Sequence, residues 1–95
     1  MLTGNRLKQK ITPYAAKFLA AGNVYRLSIL YMLIREPVTL PMIIRRLGIS
    51  PSLAAHHLKT LRLAGLVTKS KFGKLVTYYA DDVSVKEIVT LLRKP

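Results

Sequence analysis

The chain has 95 residues, enough for one domain over residues 1–95 with a thin stability margin. Sixteen Lys and Arg oppose four Asp and Glu, and the formal charge of +12 attracts polyanions. The absence of cysteine excludes disulfides and thiolate metal sites, and no apolar run approaches the ~18 residues of a membrane span.

In chain order, Ile11, Tyr14, Ala15, Phe18 and Leu19 recur at helical spacing and predict a first helix over about 6–21. Pro13 offers a later start, with Thr12 as N-cap and Pro13 at the first helical position. Asn23 caps a second helix to about residue 36. There Leu27, Leu30, Tyr31 and Ile34 form a stripe that Ile29 and Leu33 widen, as expected of a central core helix. Pro37 ends it, and Thr39 is the expected cap of a short third helix over 40–47, closed by Gly48. Ser50 and Pro51 then open a fourth helix to about residue 64, stopped by Gly65. The short connection between helices three and four forces a sharp angle.

After Gly65 the period changes to that of strands. Residues 66–71 and 75–79 read as a β-hairpin turning at Phe72, Gly73 and Lys74. Asp81, Asp82 or Ser84 caps a last helix to about residue 94, whose stripe is Val85, Ile88, Val89 and Leu92, with Leu91 beside it. The fold class is mainly α with a small β-hairpin (α+β), in the order α-α-α-α-β-β-α.

The acids are Glu36, Asp81, Asp82 and Glu87, so residues 37–80 contain none, while Arg45, Arg46, Lys59, Arg62, Lys69, Lys71 and Lys74 fall inside that stretch. A basic, acid-free middle suits a phosphate surface. A sharply angled helix pair can rest one helix on the DNA backbone and present the other to base edges in the major groove. On the fourth helix Ala54, His57 or Leu58, Leu61, and Ala64 or Gly65 face inward. Ser52, Leu53, Ala55, His56, Lys59 and Arg62 lie outward or at the margins.

Three segments carry a family resemblance. The run LGISPSLAAHHLKTLRLAGLV at 47–67, RLSIL at 26–30 and GKLVTY at 73–78 occur in the order and spacing of ArsR-type winged helix-turn-helix regulators. Together they span roughly residues 15 to 80. The resemblance implies a helix-turn-helix at about 39–64, a wing at about 66–80, and a homodimer joined through the first and last helices. It also implies a repressor on double-stranded DNA with an inverted-repeat operator. Ser52, His56, Lys59 and Arg62 are the expected major-groove contacts, Arg45 and Arg46 backbone contacts, and Lys69, Lys71 and Lys74 wing contacts. Ser50, Leu53 and Ala55 complete the surface. Two positions depart from the family: Ala55 replaces a usual serine, and Leu53 stands where a polar residue is common.

The family's thiolate motif falls on the third helix, which here has no cysteine. No histidine follows Asp82 to build the alternative site on the last helix. His56 and His57 diverge by about 100° on a helix, so no metal and no cofactor are expected; His57 is read as packed and hydrogen-bonded, and His56 as facing DNA. No nucleophile-base set or phosphate loop suggests an enzyme. Tyr14, Phe18, Tyr25 and Tyr31 read as core or dimer contacts. Phe72 has two readings, a turn-packing residue, which is preferred, or an aromatic that stacks or wedges against a sugar in the minor groove. Without the apolar core of a signal peptide, a cytoplasmic location is expected, with no membrane partner. Two alternatives to a specific repressor are a sequence-tolerant architectural DNA binder and a winged-helix module for protein or RNA.

Overall fold

A computed structural model describes residues 3–81 and 83–92. The elements are α1 (Gly4–Ala21), α2 (Val24–Arg35), β1 (Val38–Thr39), α3 (Leu40–Leu47), α4 (Pro51–Leu63), β2 (Val67–Phe72), β3 (Leu75–Ala80) and α5 (Val83–Leu91).

The first helix begins at Gly4, capped by Thr3, whose hydroxyl accepts the Arg6 N–H at 3.3 Å. The later start at Thr12 is not taken. Thr12 instead turns its hydroxyl back onto the Lys8 carbonyl at 2.6 Å, and the helix continues through Pro13. Proline there forfeits one backbone hydrogen bond, a cost that an exposed helix tolerates. Of the 18 residues of α1, only Ala20 and Ala21 are buried.

The core forms where α2 meets α3, α4, α5 and the sheet. Ile29, Leu30 and Leu33 of α2 are buried with Ile43, Leu58, Leu61, Leu66, Val85 and Val89. The two residues expected to widen the α2 stripe, Ile29 and Leu33, lie deeper than Leu27, Tyr31 and Ile34, which are partly exposed. Of the caps expected of α5, Ser84 falls inside the helix, which starts at Val83, and Asp82 lies outside the described residues, as does the expected end near Lys94.

The hairpin is part of a three-stranded antiparallel sheet of order β1-β3-β2. Val38 pairs with Tyr78 and Thr39 with Thr77. A strand of two residues has no readable period, and Thr39 carried the signal of a cap, so β1 escapes a sequence reading. Thr39 occupies the N-cap position but makes no side-chain cap bond. The expected element order therefore gains one short strand.

Glycine decides how α4 hands over to the wing. Gly65 takes φ +78°; its N–H reaches the Arg62 carbonyl at 3.0 Å and the Leu66 N–H reaches the Leu61 carbonyl at 3.0 Å. This bond pair is the Schellman arrangement, completed by contact between residues like Leu61 and Leu66, both buried here. An L side chain at Gly65 is strained by about 1–2 kcal/mol. Gly65→Ala is expected to lower stability in urea denaturation by about that amount, with an unchanged slope. Gly4→Ala, in open space at the start of α1, is expected to be neutral or slightly stabilising.

Candidate nucleic-acid interface

Helices α3 and α4 are joined by residues 48–50, and the Gly48 N–H closes α3 on the Ile44 carbonyl at 2.9 Å. Ser50 then caps α4, its hydroxyl accepting the Leu53 N–H at 3.1 Å, and Pro51 takes the first helical position. Ser50 thus serves the backbone, while Ser52 stands exposed beside it in the first turn. Helix α4 buries Ala54, His57, Leu58 and Leu61. It exposes Ser52, Leu53, Ala55, His56, Lys59 and Arg62, so the expected division into two faces holds for each of these residues.

Lys69 and Lys71 are exposed on β2, and Lys74 is exposed in the turn of the wing. Arg45 and Arg46 are exposed in the last turn of α3. Arg46 is drawn to Glu36 at 3.2 Å, a solvent-exposed pair of small energetic weight. It therefore leans toward the end of α2.

Helix α4 is held from behind by one arginine. Asn23 fixes the start of α2 by accepting the N–H groups of Tyr25 and Arg26 at 2.9 and 3.1 Å. Arg26 follows immediately. Its Nε donates to the Ala20 carbonyl near the end of α1, and its Nη1 reaches His57 Nδ1 of α4 at 3.2 Å. A guanidinium only donates, so Nδ1 must accept and His57 is the neutral, Nε2-protonated tautomer. Tyr25 sits against the same imidazole, with ring centroids 5.6 Å apart. Burial first, then the charges of Arg26 and His56, push the His57 pKa down. The expected buried, hydrogen-bonded His57 is confirmed; its partner Arg26 was visible in sequence only as part of the RLSIL segment.

The His56 and His57 ring centroids lie 5.7 Å apart with the rings tilted by 55°, and Nδ1 of His57 is occupied by Arg26. Among the described residues no three His, Cys, Asp or Glu cluster.

Phe72 departs from the preferred reading. It is 87% exposed at the wing tip, so it does not pack on the turn.

The matching family model is that of the bacterial regulatory proteins of the arsR family, over residues 23–69. The transcriptional activator HlyU of Vibrio cholerae serotype O1 is 35% identical over 75 residues, 79% of this chain and 69% of that protein. The chain belongs to the ArsR family. The solved structure of HlyU from Vibrio cholerae N16961 has a TM-score of 0.84 and 30% identity, covering 90% of this chain and 92% of that one. NolR from Sinorhizobium fredii gives 0.85 at 26% identity, covering 97% and 91%. A homodimeric winged helix-turn-helix DNA-binding domain from Mycobacterium bovis gives 0.83 at 23% identity, covering 96% and 84%. This ArsR-family chain is a winged-helix DNA-binding transcription regulator, a class without enzymatic activity.

The His57 geometry sets a pH dependence. The unfolded chain protonates this histidine near its ordinary value of about 6.5, whereas the folded chain holds it neutral to lower pH. Between these values the unfolded state binds more protons, so stability is full above about pH 6.5 and falls as the pH drops through that window. His57→Asn keeps an acceptor for Arg26 and removes the titration. Thermal melts of this variant from about pH 5 to pH 7 are expected to show a shallower decline than wild type.

Proposed function

We propose that this ArsR-family regulator binds an inverted-repeat duplex as a homodimer and represses by covering a promoter. The observation that carries the DNA surface is the coincidence of an exposed α4 face with an acid-free stretch over residues 37–80. Ser52, His56, Lys59 and Arg62 enter the major groove, where Leu53 and Ala55 present apolar contacts. Arg45, Arg46 and the first turn of α4 at Ser50 meet the backbone, and Lys69, Lys71 and Lys74 meet phosphates beside the neighbouring minor groove. Such a protein acts in the cytoplasm, and among the described residues no helix is long and apolar enough to cross a membrane.

Dimerisation is supported by apolar surface that one copy leaves uncovered. Leu7, Ile11, Tyr14 and Phe18 share a face of α1 and are 48–63% exposed; Leu91 and Leu92, at and just beyond the end of α5, are 66% and 50% exposed. Tyr14 and Phe18 line a hollow with Ile88 and Leu91, which joins the two helices into one surface. The molecule is elongated, 49 × 35 × 21 Å, because α1 extends beyond its own core. A second copy would cover this face, and the Mycobacterium bovis relative is a homodimer. The double variant Phe18→Glu/Leu91→Glu is expected to sediment as a monomer at concentrations where wild type is a dimer. Its helical circular dichroism should be unchanged, since both side chains are exposed; a dimeric variant would reject this interface.

Base reading and backbone attachment separate by salt titration. Replacing Lys71 and Lys74 with Ala is expected to weaken binding to all duplexes alike and reduce the salt slope by roughly two. Lys59→Ala is expected to cost about 1–3 kcal/mol on a selected duplex and far less on random DNA. Equal losses on both duplexes for every variant would favour a sequence-tolerant architectural binder. HlyU is named an activator, so the sign of control is read from a promoter-reporter fusion with and without the gene; repression requires higher expression without it.

A further inference from the structure

The hairpin has two chemically different faces. Cross-strand pairing sets Lys69 opposite Tyr78 and Lys71 opposite Val76, on the face that carries the buried Val67. The other face holds the pairs Thr68–Tyr79, Ser70–Thr77 and Phe72–Leu75 and bears no charge. Its end is apolar: Phe72 is 87% and Leu75 is 57% exposed, side by side across the strands. Between them the chain turns through Gly73 and Lys74, with positive φ at Gly73 only, as a type II′ turn requires.

A nearly naked aromatic ring contributes little to the stability of this fold, and it occupies the outermost point of a basic ribbon. The surrounding charges select its occupant. Lys71, Lys74 and Lys69 sit behind or beside the tip, and no acid occurs between residues 37 and 80. A phosphate backbone satisfies those lysines and places the tip over a groove between two strands. The minor groove is about 6 Å wide, too narrow for a two-stranded ribbon whose strands lie about 4.8 Å apart before side chains are added. A single flat ring can enter when the groove opens, and apolar side chains that wedge between base steps in this way kink the duplex.

We propose that Phe72, backed by Leu75, is a minor-groove wedge that unstacks one base step beside the site of α4. This rests on the DNA-binding role of α4 and the wing and adds a source of specificity to it. Unstacking is easiest at pyrimidine–purine steps such as TA and CA/TG, so the wing selects such a step through deformability, without reading base edges. The apolar Leu53 and Ala55 on α4 make this second source of discrimination useful.

The test uses the full chain and duplexes selected by wild type from a random-sequence pool. 2-Aminopurine is placed at successive steps, and end-to-end fluorescence transfer reports bending. Wild type is expected to brighten 2-aminopurine at one step per half-site and to bend the duplex. Phe72→Ala is expected to abolish both signals and weaken binding roughly ten-fold with an unchanged salt slope. Phe72→Trp should retain the signals. Lys74→Ala should reduce the salt slope by about one and leave the unstacking signal in place. In a repeated selection, Phe72→Ala should lose a pyrimidine–purine step that wild type enriches at a fixed distance from the half-site. Thermal melts check that Phe72→Ala is folded, as its exposure requires. Undiminished affinity in Phe72→Ala overturns the wedge and assigns the tip to another partner, such as a protein. Weakened binding without unstacking overturns it in favour of contact with sugars. A wild type that binds no duplex overturns the DNA role itself, and the wedge with it.

Discussion

Arg26 joins the two ends of the molecule's task. Through Nε it holds the carbonyl of Ala20, near the end of the helix that projects from the core, and through Nη1 it holds His57 on the recognition helix. Its backbone N–H is in turn held by the Asn23 cap. Three helices are thereby fixed by one side chain that is partly shielded from water, where charge-assisted hydrogen bonds carry more weight than at the open surface. In a dimer built on α1, the angle between α1 and α4 sets the separation of the two recognition helices. Half-site spacing on B-DNA is fixed by the helical repeat, at about 34–36 Å, so a small rotation at this arginine is amplified at the duplex. Hydrogen bonding from both sides of the guanidinium resists that rotation.

The same division of labour explains the distribution of charge and exposed apolar surface. The stretch from 37 to 80 repels itself electrostatically, yet it contains every buried side chain of α3, α4 and the sheet. The core therefore works against a concentrated positive field. Glu36 and Asp81 stand immediately beyond its two ends, and Glu36 takes Arg46. Outside α4 and the wing tip, where Leu63, Phe72 and Leu75 stand exposed, apolar exposure gathers on α1, on α5 and on α2 at Val24. A basic face and an apolar face on one small domain cannot exchange roles: phosphate desolvated against Leu7 or Phe18 gains nothing, and a second copy docked on Lys59 and Arg62 meets its own charge.

The helix-turn-helix was legible because its boundaries are written in residues with local chemistry. Proline at the first turn, serine at the cap and glycine at the left-handed stop fix α3 and α4 without help from the rest of the fold. The inward and outward sides of α4 followed from the 3.6-residue period. What escaped depends on distant partners. Strand β1 exists because Val38 and Thr39 find Tyr78 and Thr77 some forty positions away. The Arg26–His57 bond spans 31 positions and leaves no periodic trace. Pro13 read locally as a helix start, but the chain accepts a missing hydrogen bond in exchange for an uninterrupted α1. Phe72 read as a packing residue because an aromatic beside a turn usually finds a core; here the ribbon carries it beyond one.

The recognition surface raises a question of discrimination. Major-groove reading rests on side chains that donate or accept in a defined direction, and α4 offers few: Ser52, His56, Lys59 and Arg62. Leu53, at 37% exposure, and Ala55 can only meet thymine methyls or exclude a base by shape. A face of this kind distinguishes few base pairs on its own, while the +12 charge raises affinity for every duplex equally. Specificity must therefore come from features that charge does not strengthen. The proposed mode of binding offers two: the fixed spacing of α4 and its copy in a dimer, which penalises any duplex whose half-sites fall out of phase, and the deformability of the DNA at the wing. Both discriminate by geometry, which asks for a rigid frame. The buried imidazole, the arginine that holds it and the glycine that stops α4 supply that rigidity from behind the proposed DNA surface.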